Sequence, residues 1–327
     1  MFNLICKIEI TTAEDSKKIS FDYVNNIEVQ TSIRNLTDTA TVKLPRKMHK
    51  GDRPLTEFIN RGDEITIQAG YERYDIQTLF TGYITDIENN QPVVLKCENE
   101  MRPLKLIDVP AQDIEKFDIE VFIKEHAPKV EVVTIGDVSF GSMNFDQEMN
   151  LAQALDKVIQ KYPYVKVYFQ DGKLHVVQET ASYAEREPIV FDPMRNMISD
   201  NLTYIREEDV KIGIKAVSIL HDNSKLEAYA PKETEDGCGQ RQCFKPECKT
   251  QEELQDFADK TVAEQKTSKM TGSFKAFGIP FVRKGDNVQL KDNDCPERHN
   301  KRFVVEAVDY SFGTGGYRQN IKLGDQL

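Results

Sequence analysis

Residues 61–88 read RGDEITIQAGYERYDIQTLFTGYITDIE, and the fold is decided by how this stretch is read. Glu64, Ile65, Thr66, Ile67, Gln68 and Ala69 alternate polar and apolar, and residues 79–87 do the same. Period-two alternation puts the apolar side chains on one face of a half-buried strand. Gly62-Asp63 supplies turn chemistry ahead of the first strand, because glycine accepts positive φ and aspartate hydrogen-bonds nearby backbone. The pattern returns near the C-terminus, where Lys284-Gly285-Asp286-Asn287-Val288-Gln289-Leu290 leads to residues 302–309, RFVVEAVD. At one offset of 223 positions Gly62 meets Gly285, Asp63 meets Asp286 and Ile65 meets Val288. Ile67 likewise meets Leu290, Phe80 meets Phe303 and Asp86 meets Asp309. Six matched positions without a gap predict a duplicated β module; the alternative is two unrelated hairpins with the same turn chemistry.

Composition bounds the class. A chain of 327 residues has room for two or three domains with sizeable cores. Its 39% apolar and 30% charged residues describe a soluble protein. No apolar run approaches the roughly 20 residues a membrane helix needs. The opening MFNLICKIEI has a strand's rhythm at Phe2, Leu4, Cys6, Ile8 and Ile10, and lacks the basic-then-apolar plan of a signal peptide. A formal charge of −11 argues against a grip on nucleic acid through its phosphates.

Along the chain, residues 1–105 read as all-β, with strands near 2–10, 19–33, 38–44, 64–70, 78–88 and 92–98. One helical turn is expected at 54–59 with Asp52 as its cap. Residues 106–184 change character to a small α+β domain, with helical spacing at 114–126 and 147–162. The run Gln170-Asp171-Gly172-Lys173 then joins two alternating strands as a hairpin. From 185 to 327 β character returns, interrupted by a helix at 250–268. There Thr250 and Glu253 make a capping box, and Leu254, Phe257, Ala258, Thr261, Val262 and Gln265 form the buried stripe. The expected class is mainly β with an α+β insert: two related small β-barrels plus a helix–hairpin domain.

Chemistry-bearing residues are sparse. Cys238, Cys243 and Cys248 follow a C-x4-C-x4-C spacing, and Cys295 and His299 share a second polar loop. Zinc prefers tighter C-x2–4-C pairs, so a zinc site, a disulfide within 238–248 and reduced thiols all remain open. No G-x-S-x-G elbow, dinucleotide fingerprint, Walker motif or EF-hand loop occurs, and Gly313-Thr314-Gly315-Gly316 reads as a hairpin tip rather than a phosphate cradle. Catalysis and cofactors are not expected. The competing readings are a zinc- or thiol-dependent hydrolase built on the cysteine cluster, and a β-rich surface-binding protein.

With these residues in view, the stretch 61–87 resembles the first barrel of contractile-tail baseplate hub proteins. This is the late control protein D group, with Mu-like phage hubs and the hub portion of type VI secretion VgrG proteins among its relatives. Residues 147–177 look like that family's small domain. Residues 270–286 look like its second barrel, and 303–324 like its closing hairpin. The resemblance implies a homotrimer in which two barrels per chain form a pseudo-sixfold ring, joining a tail tube to a central spike. It implies a structural protein of the virion tail or injection-machine tip, assembled in the bacterial cytoplasm with tail-tube and baseplate proteins. DNA at most passes through its channel. The sequence stops at Leu327, so the expected spike is a separate protein.

Overall fold

The computed structural model describes the chain except residues 1–2, 47–48, 51–52, 75, 137–139, 163–164, 179–182, 184–185, 207–212, 220–223, 232–240, 245–249 and 266–268. It divides into two units, Met1–Asn201 with Gly272–Leu327, and Leu202–Thr271. The expected boundaries near 105 and 184 fall inside the larger unit, and 202–271, expected in one domain with 272–327, is the smaller unit.

The chain is mainly β, as the alternation predicts. One continuous sheet path runs Met197–Ile205, Lys269–Phe277, Gly316–Gln326, Arg302–Gly313, Asn26–Ser32, Thr39–Leu44, Val93–Glu98, Gln77–Glu88, Glu64–Tyr71, Leu4–Thr11, Lys18–Phe21. Asn287–Leu290 branches from Arg302–Gly313 and carries Ile189–Phe191 in parallel. Alternate residues face inward: Ile8 and Ile10, Ile27 and Val29, Ile65 and Ile67 are fully buried. Each such side chain contributes about 1.5–3 kcal/mol by leaving water, which is what holds the strands in register.

Two four-strand ladders within this sheet share one hydrogen-bond plan. Thr39–Leu44, Glu64–Tyr71, Gln77–Glu88 and Val93–Glu98 occur in the same chain order and sheet order as Lys269–Phe277, Asn287–Leu290, Arg302–Gly313 and Gly316–Gln326. In each, the same turn leads into the second strand. Gly62 has φ 95° and Gly285 φ 77°, conformations open to glycine. Asp63 Oδ2 accepts from Asn60 N at 2.8 Å, and Asp286 Oδ2 from Arg283 N at 2.7 Å. Gly62 N donates to Ile84 O at 2.8 Å, and Gly285 N to Val305 O at 2.8 Å. Ile65 then faces Gly82, and Val288 faces Phe303. Both ladders carry a bulge at one place, between Ile84 and Asp86 and between Val305 and Ala307.

These registers correct the ungapped alignment. Gly62, Asp63, Ile65 and Ile67 keep their offset to Gly285, Asp286, Val288 and Leu290. The following strand slides by two residues: the ladder partner of Phe303 is Gly82, not Phe80, and Asp86 corresponds to Ala307 while Asp309 corresponds to Glu88. The cause is the connection. Thirteen residues separate Ile67 from Thr81, but only eleven separate Leu290 from Arg302, and a bulge between Ile67 and Gln68 takes up part of the excess.

Residues between Met101 and Val176 gather around a core of their own. The helix Ile119–His126 starts later than its apolar spacing predicts, because Asp118 accepts from Glu120 N and Val121 N and caps it. Ile114 belongs instead to a short strand paired with Met143–Phe145. The helix Leu151–Lys161 is set by a capping box between Asn150 and Gln153 and buries Leu151, Ala154, Leu155 and Val158. Val165–Gln170 and Lys173–Gln178 form the expected hairpin, with Asp171 at φ 52° and Gly172 at φ 76° in its turn. The turn at 54–59 is a short 3-10 helix, Leu55–Glu57, entered from Pro54 without a side-chain cap, while Asp52 lies outside the described residues.

The smaller unit centres on Gly213–Ile219, paired antiparallel with Lys225–Ala230 and parallel with Arg241–Phe244. The helix Gln251–Gln265 is capped as predicted, Glu253 N donating to Thr250 Oγ1 at 3.2 Å and Thr250 N to Glu253 Oε2 at 3.3 Å. Its Leu254 and Ala258 pack on Ile214, Ala216, Ala228 and Ala230.

Candidate functional site

The two matched turns place a cation at the same position with opposite fates. Arg61 in the first turn lies 70% exposed and pairs with Asp86. Lys284 in the second is 4% exposed and donates to Asp38 Oδ2 at 2.5 Å. Asp38 itself is fully engaged: it accepts from Ser32 N at 3.1 Å through Oδ1, and from Asn99 Nδ2 at 3.3 Å through Oδ2. Lys284 Nζ also lies 5.1 Å from the ring centre of Tyr168, and the Tyr168 hydroxyl meets that of Tyr183 at 3.3 Å. Arg283, next in the turn, grips both carboxylate oxygens of Asp171 at 3.1 Å. One turn of the second ladder thus ties the first ladder, through Asp38 and Asn99, to the hairpin of the α+β core, through Tyr168 and Asp171.

Beside this junction lies a cleft of about 470 Å³, whose lining includes Phe80, Thr81, Glu100, Gln170, Arg283 and Lys284. Burial pushes the Asp38 carboxyl up and the Lys284 ammonium down, and in each case the partner's opposite charge opposes the shift. Burial also raises Glu100, against a 2.6 Å hydrogen bond from Thr81 Oγ1. The carboxylate and ammonium satisfy each other and the backbone, which is the chemistry of a structural clasp. A general base instead needs a free lone pair aimed at substrate.

The bulge at Glu306 is a second electrostatic tie. Its carboxylate accepts from Arg34 Nε and Lys322 Nζ, each at 2.5 Å. Burial acts to raise this carboxyl, yet Lys322 and Arg34 outweigh it and hold it below the usual glutamate range. A depressed folded pKa contributes stability that is present above the unfolded value of about 4.3 and is lost as pH falls through the folded one. Glu306→Gln is therefore expected to flatten the acid limb of a stability–pH profile below about pH 4. Denaturant midpoints from about pH 7 down to about pH 2.5, which brackets that limb, check it; an unchanged dependence on pH overturns it.

The remaining sequence candidates do not converge. Cys238 and Cys248 lie outside the described residues, and Cys243 sits in the strand paired with Gly213–Ile219. Cys295 and His299 are held in a loop organised by Asp292, which accepts from Asp294 N, Cys295 N and Arg298 Nε. His299 Nδ1 is buried without a hydrogen-bond partner. Among the described residues no three His, Cys, Asp or Glu side chains group as metal ligands. Burial pushes the Cys97 thiol up to about 12; burial and then Asp22 push Cys6 up to about 11. His175 stacks on Tyr168 with ring centres 5.5 Å apart, and burial lowers its pKa.

Sequence reasoning passed over Asp38, Lys284, Tyr168 and the Arg283–Asp171 pair. Lys284 stood inside the repeated motif, and its difference from Arg61 was visible only once the two turns could be compared in space. Asp38 carries no local signal, being 246 residues from its partner.

No family model and no curated protein matches this sequence. Solved structures do match in fold. The tail protein from Neisseria meningitidis aligns with a TM-score of 0.70 at 13% identity, covering 99% of this chain and 97% of that one. The 43 kDa tail protein of prophage MuSo2 from Shewanella oneidensis aligns at 0.66 and 13%, with coverage of 99% and 97%. A Francisella PdpA–VgrG complex aligns at 0.58 and 12%, covering 99% of this chain and 58% of the matched one. The fold of this chain is that of phage tail proteins, end to end.

Proposed function

We propose, from a fold shared over its whole length with phage tail proteins, that this chain is a non-catalytic baseplate hub of a contractile tail or related injection machine. The observation that carries the reading is coverage: both tail proteins are spanned to 97% of their own length, so the likeness is to the whole tail protein rather than to one module. The paired ladders support the finer part. Two copies of one hydrogen-bond plan per chain, in a ring of three chains, present six similar surfaces, which suits a joint between a sixfold tube and a threefold spike. In that assembly the two ladders belong to two related β-barrels. The match to a chain in the Francisella PdpA–VgrG complex supports a hub that assembles with further proteins, here a separate spike and the tail-tube and baseplate proteins. The acidic balance suits a channel through which DNA passes without being held.

Light scattering on the purified chain, followed by negative-stain imaging, tests the reading. Three chain masses in an open ring are expected; a single-chain mass at every concentration overturns the self-assembling hub.

A further inference from the structure

The chain joins its two ladders at one place, and it carries the two halves of a second such joint left apart. In the joint that is made, the start of Arg302–Gly313 pairs with Asn287–Leu290. Beyond the bulge, Ala307–Gly313 pair antiparallel with Asn26–Ser32, the strand that leads into the first ladder. Ile33 N continues the contact by donating to Glu306 O at 2.9 Å, and Thr31 Oγ1 donates to Val308 O at 3.0 Å. The joint is dry: Ile27, Val29 and Val308 are fully buried. Asp38, on the connection that leaves the added strand, covers Lys284 of the turn.

The first ladder repeats this edge without filling it. Its equivalent strand is Gln77–Glu88, whose pairing with Glu64–Tyr71 stops at Tyr83. Asp86, Ile87 and Glu88 correspond to Ala307, Val308 and Asp309, and they pair with Lys96, Leu95 and Val94 on one side. Among the described residues no strand lies on their other side. Ile87 is accordingly only half-buried where Val308 is sealed. The turn cation shows the same difference, Arg61 staying 70% exposed beside Asp86 while Lys284 is covered.

The missing half is in the second ladder. Asn26–Ser32 precedes Thr39–Leu44 in the chain and lies beside it in the sheet; Met197–Ile205 stands in the same relation to Lys269–Phe277. The shared plan therefore has five strands, and Met197–Ile205 is the counterpart of the strand that fills the first joint. It ends the sheet path, with one neighbour among the described residues. Ile198, Ser199, Asp200 and Asn201 are exposed in succession, Ile198 to 44%. An edge of this kind presents backbone N–H and C=O groups that template a further strand. Six strands lie between it and Gln77–Glu88, so the two edges are about 34 Å apart along the sheet and do not pair within one chain.

We propose that Met197–Asn201 of a second copy adds antiparallel to the Asp86–Glu88 edge, repeating between chains the joint that Asn26–Ser32 makes within one. The inference rests on the self-assembling hub reading and supplies the contact that closes its ring. The occupant follows from the chain's own duplication: one ladder's first strand already fills such an edge, and the other's has no edge to fill. Each copy offers one strand and one edge on different surfaces, so the contact runs head to tail and closes when the rotation between copies permits. The open edge has three residues, Asp86–Glu88, where the filled one has seven, Ala307–Gly313. With fewer backbone bonds to make, the joint between chains is the weaker of the two, and assembly depends on concentration.

Amide hydrogen exchange on the intact chain, above and below the concentration at which rings form, is the test. Residues 86–88 and 198–201 are expected to exchange about tenfold or more slowly in the ring than in the single chain. Ala307–Gly313 and Asn26–Ser32, already joined, serve as the internal reference and exchange alike in both states. Ile198→Lys places a charge on the exposed edge, where it opposes strand addition. The variant is expected to keep the single chain's thermal transition and to raise the ring's dissociation concentration by roughly tenfold or more. Rings in which 86–88 and 198–201 exchange as fast as in the single chain overturn this joint and leave the hub reading standing. A wild-type chain that stays single at every concentration removes both.

Discussion

Lys284→Met is expected to destabilise the folded chain by about 3–5 kcal/mol, the range for breaking a buried ion pair from one side. The cost comes from what is left behind. Asp38 is 6% exposed, and its hydrogen bonds from Ser32 N and Asn99 Nδ2 cannot replace a full charge. Methionine keeps most of the lysine stem's volume, so packing against Tyr168 changes little and the loss reports the charge. Two comparisons separate this account from a general sensitivity of the turn. Arg61→Met alters the register-equivalent position, where the pair with Asp86 is largely solvated, and is expected to cost no more than about 1 kcal/mol. Lys284→Met with Asp38→Leu removes both charges and is expected to recover most of the loss, because an apolar pair of similar volume no longer strands an ion. Denaturant midpoints at an unchanged slope are the measurement. A double variant as unstable as the single one would show that the turn geometry, and not the pair, carries the junction.

Gly82→Ala should be nearly as damaging, at about 3 kcal/mol or more, beyond the usual range for overpacking because backbone is in the way. A β-carbon built on Gly82 meets Glu98 O at 2.2 Å and Asn99 Cα at 2.8 Å, both backbone atoms of the neighbouring strand and its exit. Neither can rotate aside as a side chain would, so the strands must part where Tyr83 pairs with Glu98 and Ile84 with Cys97. Asn99 also donates to Asp38, so the disturbance reaches the buried pair and the two effects should not add. The register-equivalent residue of the second ladder is Phe303, wholly buried, so the shared plan takes a large side chain at that position of the other ladder. Gly62→Ala provides the contrast: nothing lies within 4 Å of its β-carbon, and only the positive φ resists it. A far smaller loss there, read by thermal unfolding, is the expected ranking; equal losses would overturn the close-approach account.

Much of the architecture was legible in the residues because the signals are local. Alternation at 64–69 and 79–87, the Gly-Asp turns, the Asp171-Gly172 hairpin and the Thr250–Glu253 cap each depend on a few neighbouring residues. Their physics is the same in any context. Where local signals competed, short-range hydrogen bonding won over periodicity. Asp118 and Asn150 set the true helix starts, although apolar spacing began earlier at Ile114 and the second helix was expected from Gln147.

By itself the sequence determined the strand-rich class, the duplicated turn and the absence of any familiar catalytic motif, all written in spacing and residue type. Only the tertiary structure decided the register of the repeat, since a connection shorter by two residues slid Phe303 opposite Val288 in the place of Gly82. It also decided the fate of the two turn cations and set Leu202–Thr271 apart as its own unit. The reason is physical: whether a charge is buried and whom it meets depends on surfaces brought together from distant parts of the chain. A lysine carries no mark of an aspartate 246 residues away.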